Sequence, residues 1–270
     1  MQSATTPHEA EAPPGGVEHS KVLTERDLAD FVWPLHLGGK DRADLAFHGR
    51  RWLILLEHAD ALVEAARARG GPLRMLDIGP SLQTDILRHN YPDIPVDTLN
   101  LSDDGRTPRP EDIHVRYDLN DLYHRERWPR IGPYDVIVMC EVIEHLYTGA
   151  STVLAGLASI VKPHSSLFLQ TPNAAALHKR IQLAMGKNPY MSLEEERMDP
   201  PHFHEFTVGE LAEAARQAGW QVAGVETHNG FSRNTPLSDV YNRVCAALPA
   251  SLRAGISMTL TMPAAGERAR

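Results

Sequence analysis

Hydrophobic and polar positions follow a regular order in the chain from Pro72 onward. Short apolar runs bounded by turn residues indicate buried strands, and segments with apolar residues every three or four positions indicate helices. Strands and helices alternate, which predicts an α/β fold with a doubly wound, mostly parallel, seven-stranded sheet. The predicted strands are LRMLDIG, IPVDTLNL, DIHVRYD, YDVIVMC, SSLFLQT, WQVAGVE and SMTLTM.

The region before Pro72 has a different pattern. Residues 1–20 are rich in Pro, Gly, Ala and Glu and lack aromatic residues, which predicts a flexible tail. A first helix is expected over LTERDLADFVW, with Thr24 as its N-cap, and a second from about Gly49 to Ala68. We therefore expect residues 21–71 to form an N-terminal helical cap over a site, followed by the main domain at 72–270.

An insert at about 174–205 separates the fifth strand from the next helix, and it is long for a plain connection. We predict that it folds over the site as a lid. The helix that follows is expected to begin with Thr207 as its N-cap and Glu210 three residues later, and to end at Gly219. Apolar residues of the insert are expected either to form a lipophilic pocket or to bury the insert's own helix. They are Leu177, Ile181, Leu183, Met185, Tyr190 and Met191.

Charge and composition narrow the function classes. The chain has 270 residues, with 35 acidic against 27 basic, which argues against a nucleic-acid partner. The basic groups HGRRW and HRERWPR are interpreted as solvated surface. No apolar run approaches the roughly 18 residues that a membrane span needs. There is no secretory signal pattern, and the two cysteines are far apart in the sequence, so we expect a reduced, cytoplasmic protein.

Polar residues follow four of the predicted strands. Asp77 and Gly79 come at the end of the first strand, Asn100 at the end of the second, Asp118 at the end of the third and Glu141 at the end of the fourth. In a doubly wound sheet the ligand lies beyond the carboxyl ends of the strands. Acidic and amide groups without a basic residue suit a neutral or cationic nucleoside. A dinucleotide pyrophosphate would need a G-x-G-x-x-G turn, which GPSLQT lacks.

In their order and spacing these segments resemble the class I S-adenosylmethionine-dependent methyltransferases. The resemblance covers about Leu73 to His228 and is strongest to the small-molecule branch that includes the ubiquinone-biosynthesis O-methyltransferases. It is carried by MLDIG, DLND, YDVIVMCEVIEHL, IVKP, LFLQTPN and HFHEFTVGELAEAARQAGW. The resemblance implies that S-adenosylmethionine is the cofactor, with its methionine part at the glycine turn, its ribose after the second strand and its adenine edge after the third. The cofactor-binding residues implied are Asp77, Gly79, Pro80, Asn100, Leu101, Asp118, Leu119 and Glu141.

Two positions depart from the family pattern. The usual second glycine of the first loop is absent, because Ser81 and Leu82 follow Pro80. Asn100 stands where the family has an acidic residue. A hydrogen bond from a hydroxyl to an amide is weaker than the charge-assisted bond that a carboxylate would accept. Asp103 or Asp104 could substitute for it. A non-catalytic, cofactor-binding protein is therefore kept as an alternative.

The segment after the fourth strand supplies the candidate chemistry. If the chain turns helical after Cys140, then Glu141, Glu144 and His145 share one face. We predict methyl transfer to a small-molecule acceptor, at a hydroxyl oxygen. The candidate catalytic residues are His145, as general base, and Glu141, which also lines the cofactor pocket. A homodimer is left open.

The same three residues allow a metal-dependent alternative. Two carboxylates and a histidine on one turn resemble the constellation of the small-RNA 3′-end 2′-O-methyltransferases, in which a divalent ion holds the terminal hydroxyls. A further histidine would have to come from His202 or His204. The acidic balance disfavours RNA, so a metal-free reaction on a small molecule is the interpretation preferred here, and the metal ligands are left unassigned.

Overall fold

The structure is a computed structural model that describes residues 39–102, 108–192, 201–229, 243–244 and 247–264. The tail expected over residues 1–20 and the helix expected to begin at Thr24 lie outside these residues, as do Asp103 and Asp104.

Seven strands form one sheet in the order β3-β2-β1-β4-β5-β7-β6. Strands β1 to β5 run parallel to one another, and β7 runs antiparallel to both β5 and β6. The mostly parallel, seven-stranded sheet expected from the sequence is confirmed. The strands are β1 (Met75–Ile78), β2 (Val96–Asn100), β3 (His114–Arg116), β4 (Tyr134–Cys140), β5 (Val161–Pro172), β6 (Gln221–His228) and β7 (Gly255–Thr261).

The α-helices for which the structure gives bounds are α1 (Gly39–Ala68), α2 (Leu82–Asn90), α3 (Ala150–Ala158), α4 (Leu177–Ala184) and α5 (Val208–Gln217). Helix α1 begins at Gly39 rather than near Gly49, so the predicted second helix is longer than its apolar pattern indicates. The start of α5 is as predicted, because Thr207 and Glu210 form a reciprocal capping box.

Both faces of the sheet are covered. On one face, α1 and α2 pack against Val136 and Val138 of β4, and Trp52 of α1 is only 1% exposed. On the other face, α3 and α5 pack against Ile137 and Met139. This is why YDVIVMC is apolar throughout rather than alternating: successive side chains point to opposite faces, and each face is buried.

The strand ends meet at one edge of the sheet. In the register of the sheet, Ile78 of β1 pairs with Leu99 of β2 and with Met139 of β4. The residues that follow these positions therefore lie at one level, at the edge where ligands bind in doubly wound sheets.

Candidate active site

Asp77 holds the first loop together. Its side chain is fully buried, and it accepts hydrogen bonds from Nε2 of Gln83 at 2.8 Å and from Oγ1 of Thr84 at 2.7 Å. Burial raises the pKa of this carboxyl group to about 7, against the opposing effect of the two hydrogen bonds. Both carboxylate oxygens thus tie the end of β1 to the first turn of α2.

Gly79 brings the loop after β1 against the turn after β4. Its φ is +76°, and a Cβ built on it would lie 2.6 Å from Cγ2 of Val142. Only glycine combines this backbone conformation with so close an approach. After Pro80, Ser81 is the N-cap of α2 and forms a capping box with Thr84. Ser81, which stands where the family pattern has its second glycine, therefore caps the start of α2.

Two further polar side chains stand at the ends of β2 and β3. Oδ1 of Asn100 accepts the backbone N–H of Leu101 at 2.9 Å. Asp118 caps the 3₁₀ turn Leu119–Tyr123, with the backbone N–H of Asn120 at 2.9 Å from its Oδ1. Leu119, the first residue of this turn, is buried.

Glu141 has an unusual backbone and a buried partner. Its φ is +54°, a region that costs an L residue about 1–2 kcal/mol. Its Oε1 lies 3.0 Å from Nη1 of Arg51, whose side chain is 5% exposed. The interpretation of HGRRW as solvated surface is therefore wrong for Arg51. The available signal was its position four residues before Leu55, on the apolar face of α1.

Glu141 and Glu144 do not share a face. The N–H of Glu141 still bonds the carbonyl of Gln170 in β5 at 2.9 Å, and its left-handed backbone is followed only by the short 3₁₀ turn Ile143–His145. A residue with positive φ is not part of an α-helix, so no continuous helix begins at Glu141. Glu141 consequently turns towards α1, and Glu144 towards β5.

Glu144, His145 and His202 form a group of titratable side chains at this edge. Glu144 is fully buried, and its Oε2 accepts a hydrogen bond from Oγ1 of Thr171 at 2.9 Å. The rings of His145 and His202 meet edge to face, with centroids 4.7 Å apart. One ligand atom from each of the three residues lies within 4.8 Å of the others. Burial raises the pKa of Glu144 and lowers that of His202 to about 4.

Of the two histidines proposed to join this group, His202 does so and His204 does not. The Nε2 of His204 lies 3.7 Å from Glu210 at the start of α5, and its side chain is 56% exposed. The segment that contains both histidines is fastened to the site, because the N–H of Phe203 donates to the carbonyl of Glu144 at 2.8 Å.

Three supporting residues were not predicted from the sequence. Thr171 lies in β5, which is separated from β4 along the chain by α3. Lys179 of α4 forms an ion pair with Glu205, which lies in the segment before α5. Burial lowers the pKa of Lys179 to about 8. No local motif marks these residues, because their proximity arises only when the insert folds back on the sheet.

The apolar residues of the insert do not bury its helix as a group. Five of the six are between 38% and 58% exposed on the described part of the insert. The second of the two alternatives, burial of the insert's own helix, is therefore wrong for these five: Ile181, Leu183, Met185, Tyr190 and Met191.

A family model described as "Methyltransferase domain" matches residues 51–225, which is more than half of the chain. The chain belongs to this family. It is an enzyme, an S-adenosylmethionine-dependent class I methyltransferase, as the resemblance in its sequence implied. The match does not confirm the ubiquinone-biosynthesis branch. It does not favour the two alternatives, an RNA-end methyltransferase and a non-catalytic binding protein.

Several solved structures are similar to the methyltransferase in fold. An S-adenosylmethionine-dependent methyltransferase from Archaeoglobus fulgidus is 17% identical, with coverage of 74% of this chain and 93% of the other and a TM-score of 0.46. The N-methyltransferase NodS from Bradyrhizobium japonicum, in complex with S-adenosyl-L-homocysteine, is 11% identical, with coverage of 77% and 86% and a TM-score of 0.45. A putative sarcosine dimethylglycine methyltransferase from Galdieria sulphuraria is 10% identical, with coverage of 77% and 84% and a TM-score of 0.48.

A search of curated proteins gave no match. Within the part of the chain that the structure describes, no helix has the length and apolar character needed to span a membrane.

Proposed function

We propose that this methyltransferase acts on a hydroxyl oxygen of a small-molecule acceptor, which approaches the side of the site formed by His145. The observation that supports this proposal is the pairing of His145 and His202 over the buried Glu144, directly beyond β4. A hydroxyl must lose a proton when it is methylated, and such a group can assist that loss. The chain has 35 acidic residues against 27 basic ones, and this excess of negative charge supports a small acceptor over a polyanion.

The residues at the strand ends fit the cofactor, which we place beyond β1 to β4. Because Gly79 has a left-handed backbone and no side chain, the loop presents only backbone atoms at this position. A Cβ there would overlap Cγ2 of Val142. Asn100 offers an amide for the ribose hydroxyls, and Asp118 offers a carboxylate for the adenine edge. In this arrangement Glu141 lines the pocket. Asp77 positions the loop through its bonds to α2. Bound S-adenosylmethionine supplies an electrophilic methyl group on a positively charged sulfur.

Neighbouring residues complete this placement. Pro80 continues the first loop, Leu101 follows Asn100, and Leu119 begins the turn that Asp118 caps. We assign these three residues to the cofactor pocket as apolar or backbone contacts.

His145 is the residue to which we assign activation of the acceptor. During transfer the O–H bond breaks, the oxygen bonds to the methyl carbon, and the carbon–sulfur bond breaks with its electron pair going to sulfur. An imidazole assists by accepting the proton itself or by holding an ion that makes the hydroxyl more acidic. Both routes depend on His145. The resemblance to ubiquinone-biosynthesis O-methyltransferases supports oxygen as the methylated atom.

Replacement of His145 tests this assignment. We expect His145→Ala to lower the turnover of a hydroxylated acceptor by roughly 10²–10⁴-fold and to leave S-adenosylmethionine affinity nearly unchanged. Turnover is measured as S-adenosylhomocysteine formed, and affinity by calorimetry. His124→Ala is the matched control, because His124 is an exposed histidine on the far side of the turn that Asp118 caps. Equal turnover in the two variants would remove His145 from the chemistry.

A further inference from the structure

The cluster of Glu144, His145 and His202 has the composition of a metal centre. It offers one carboxylate and two imidazoles, with ligand atoms within 4.8 Å of one another. The ligands come from two separate elements, the turn after β4 and the segment before α5. Two histidines and one carboxylate with open positions are a set that binds Zn²⁺ and other first-row divalent ions in enzymes.

An unpartnered oxygen of Glu144 points independently to a cation. The side chain is 0% exposed, and its Oε2 accepts a hydrogen bond from Thr171. Oε1 is buried and has no hydrogen-bond partner among the residues that the structure describes. Leaving a buried carboxylate oxygen uncompensated is costly, and native proteins rarely do so. A cation beside Oε1 would satisfy it.

The surroundings of His202 orient its ring as metal sites require. Its Nδ1 lies 3.0 Å from Oε1 of Glu205, and Glu205 is itself paired with the buried Lys179. A carboxylate that holds one ring nitrogen of a histidine fixes the ring and leaves the other nitrogen to bind metal. The backbone bond from Phe203 to Glu144 keeps the two halves of the cluster at a fixed separation.

We infer that Glu144, His145 and His202 bind a divalent first-row transition-metal ion at the acceptor side of the site. Nitrogen ligands select such an ion over Mg²⁺, which prefers octahedral oxygen coordination. The catalytic consequence rests on the proposed function. Three protein ligands leave coordination positions for an acceptor hydroxyl, and contact with the ion makes that hydroxyl more acidic. Its proton passes to water, its oxygen bonds to the methyl carbon, and the carbon–sulfur bond breaks with its electron pair going to sulfur.

Metal binding is tested on the full chain without cofactor or acceptor. The protein is stripped with a chelator, dialysed and titrated calorimetrically with Zn²⁺ alone, and then with Mg²⁺. We expect one Zn²⁺ per chain, no comparable Mg²⁺ binding, and a melting temperature that rises with Zn²⁺. Glu144→Gln and His202→Ala should each weaken Zn²⁺ binding at least tenfold, about 1.4 kcal/mol or more.

His204→Ala is the matched control, since His204 lies two residues from His202 but faces Glu210. It should bind Zn²⁺ as the wild type does. Glu144→Gln keeps the size of the side chain and an oxygen for Thr171, so its folding is expected to survive the change. Absence of Zn²⁺ binding, or binding of equal strength in all four proteins, would overturn the inference. If methyl transfer proceeds in a chain that binds no Zn²⁺, only the metal site is refuted. If Zn²⁺ binds as predicted but no hydroxyl is methylated, only the proposed function is refuted.

Discussion

At the scale of single residues, Gly79 sets the shape of the loop after β1, which we propose holds the cofactor. Its left-handed backbone and its close contact with Val142 each favour glycine for a different reason. Another glycine of the chain has the left-handed backbone without a close contact. Gly71 has φ +88°, with nothing within 4 Å of a built Cβ. The two glycines therefore separate backbone strain from close approach.

We predict that Gly79→Ala weakens S-adenosylmethionine binding at least tenfold, about 1.4 kcal/mol or more, because the new Cβ would overlap Cγ2 of Val142. Gly71→Ala introduces similar backbone strain without the overlap and should leave affinity unchanged. The double variant Gly79→Ala/Val142→Ala should regain part of the loss. Calorimetry on the folded variants decides the matter. Equal affinities for Gly79→Ala and Gly71→Ala would mean that this loop does not shape the pocket.

At the scale of elements, α1 is connected to the end of β4 by one buried ion pair. Arg51 is 5% exposed and Glu141 18%, so removing one partner leaves the other charge in a poorly hydrated place. Glu141 keeps some contact with solvent, which moderates the cost. The pair holds the α1 layer against the strand end that we assign to the cofactor.

Arg51→Met should lower the free energy of unfolding by about 2–4 kcal/mol, near the lower end of the range for broken buried pairs. The double variant Arg51→Met/Glu141→Gln should recover much of this loss, because no unpaired charge remains. Arg50→Met, at the exposed neighbouring arginine, is the control. Denaturant unfolding measures all four proteins. A loss for Arg51→Met no larger than that for Arg50→Met would show that the ion pair contributes nothing.

Elements with local signals were predictable, and those that depend on distant contacts were not. The strand YDVIVMC is apolar on both faces, and Thr207 and Glu210 mark the start of α5, so both follow from neighbouring residues. The left-handed backbone of Glu141 and its ion pair with Arg51 of α1 are tertiary features that no neighbouring residue marks. The sequence therefore wrongly favoured one continuous helical face.

Some residues of the candidate site could also be predicted from the sequence, and others could not. Residues directly after strands are placed by the fold itself, so Gly79 and Asn100 could be assigned to the edge of the sheet from sequence. The choice between His202 and His204 could not be made, because the segment has no regular periodicity and its orientation is set by the bond between Phe203 and Glu144. Thr171 and Glu205 enter the site only through tertiary packing.

At the scale of the whole molecule, one edge of the sheet brings together the loop after β1, the ion pair of Glu141 with Arg51, and the cluster of Glu144, His145 and His202. The family match covers residues 51–225, so it includes α1 from Arg51 onward as well as the sheet through most of β6. The family identifies methyl transfer as the reaction. The arrangement beyond β4 is what suggests oxygen as the acceptor atom.

The most direct measurement is the chemical position of the transferred methyl group. The full chain is incubated with S-adenosylmethionine labelled with ¹³C at the methyl carbon and with the small-molecule fraction of the producing cells, and the products are identified by NMR. We predict ¹³C on the oxygen of a small molecule, matched by an equal amount of S-adenosylhomocysteine, and loss of both in His145→Ala but not in His124→Ala. Label found on nitrogen or carbon, or formed equally by His145→Ala, would contradict the account.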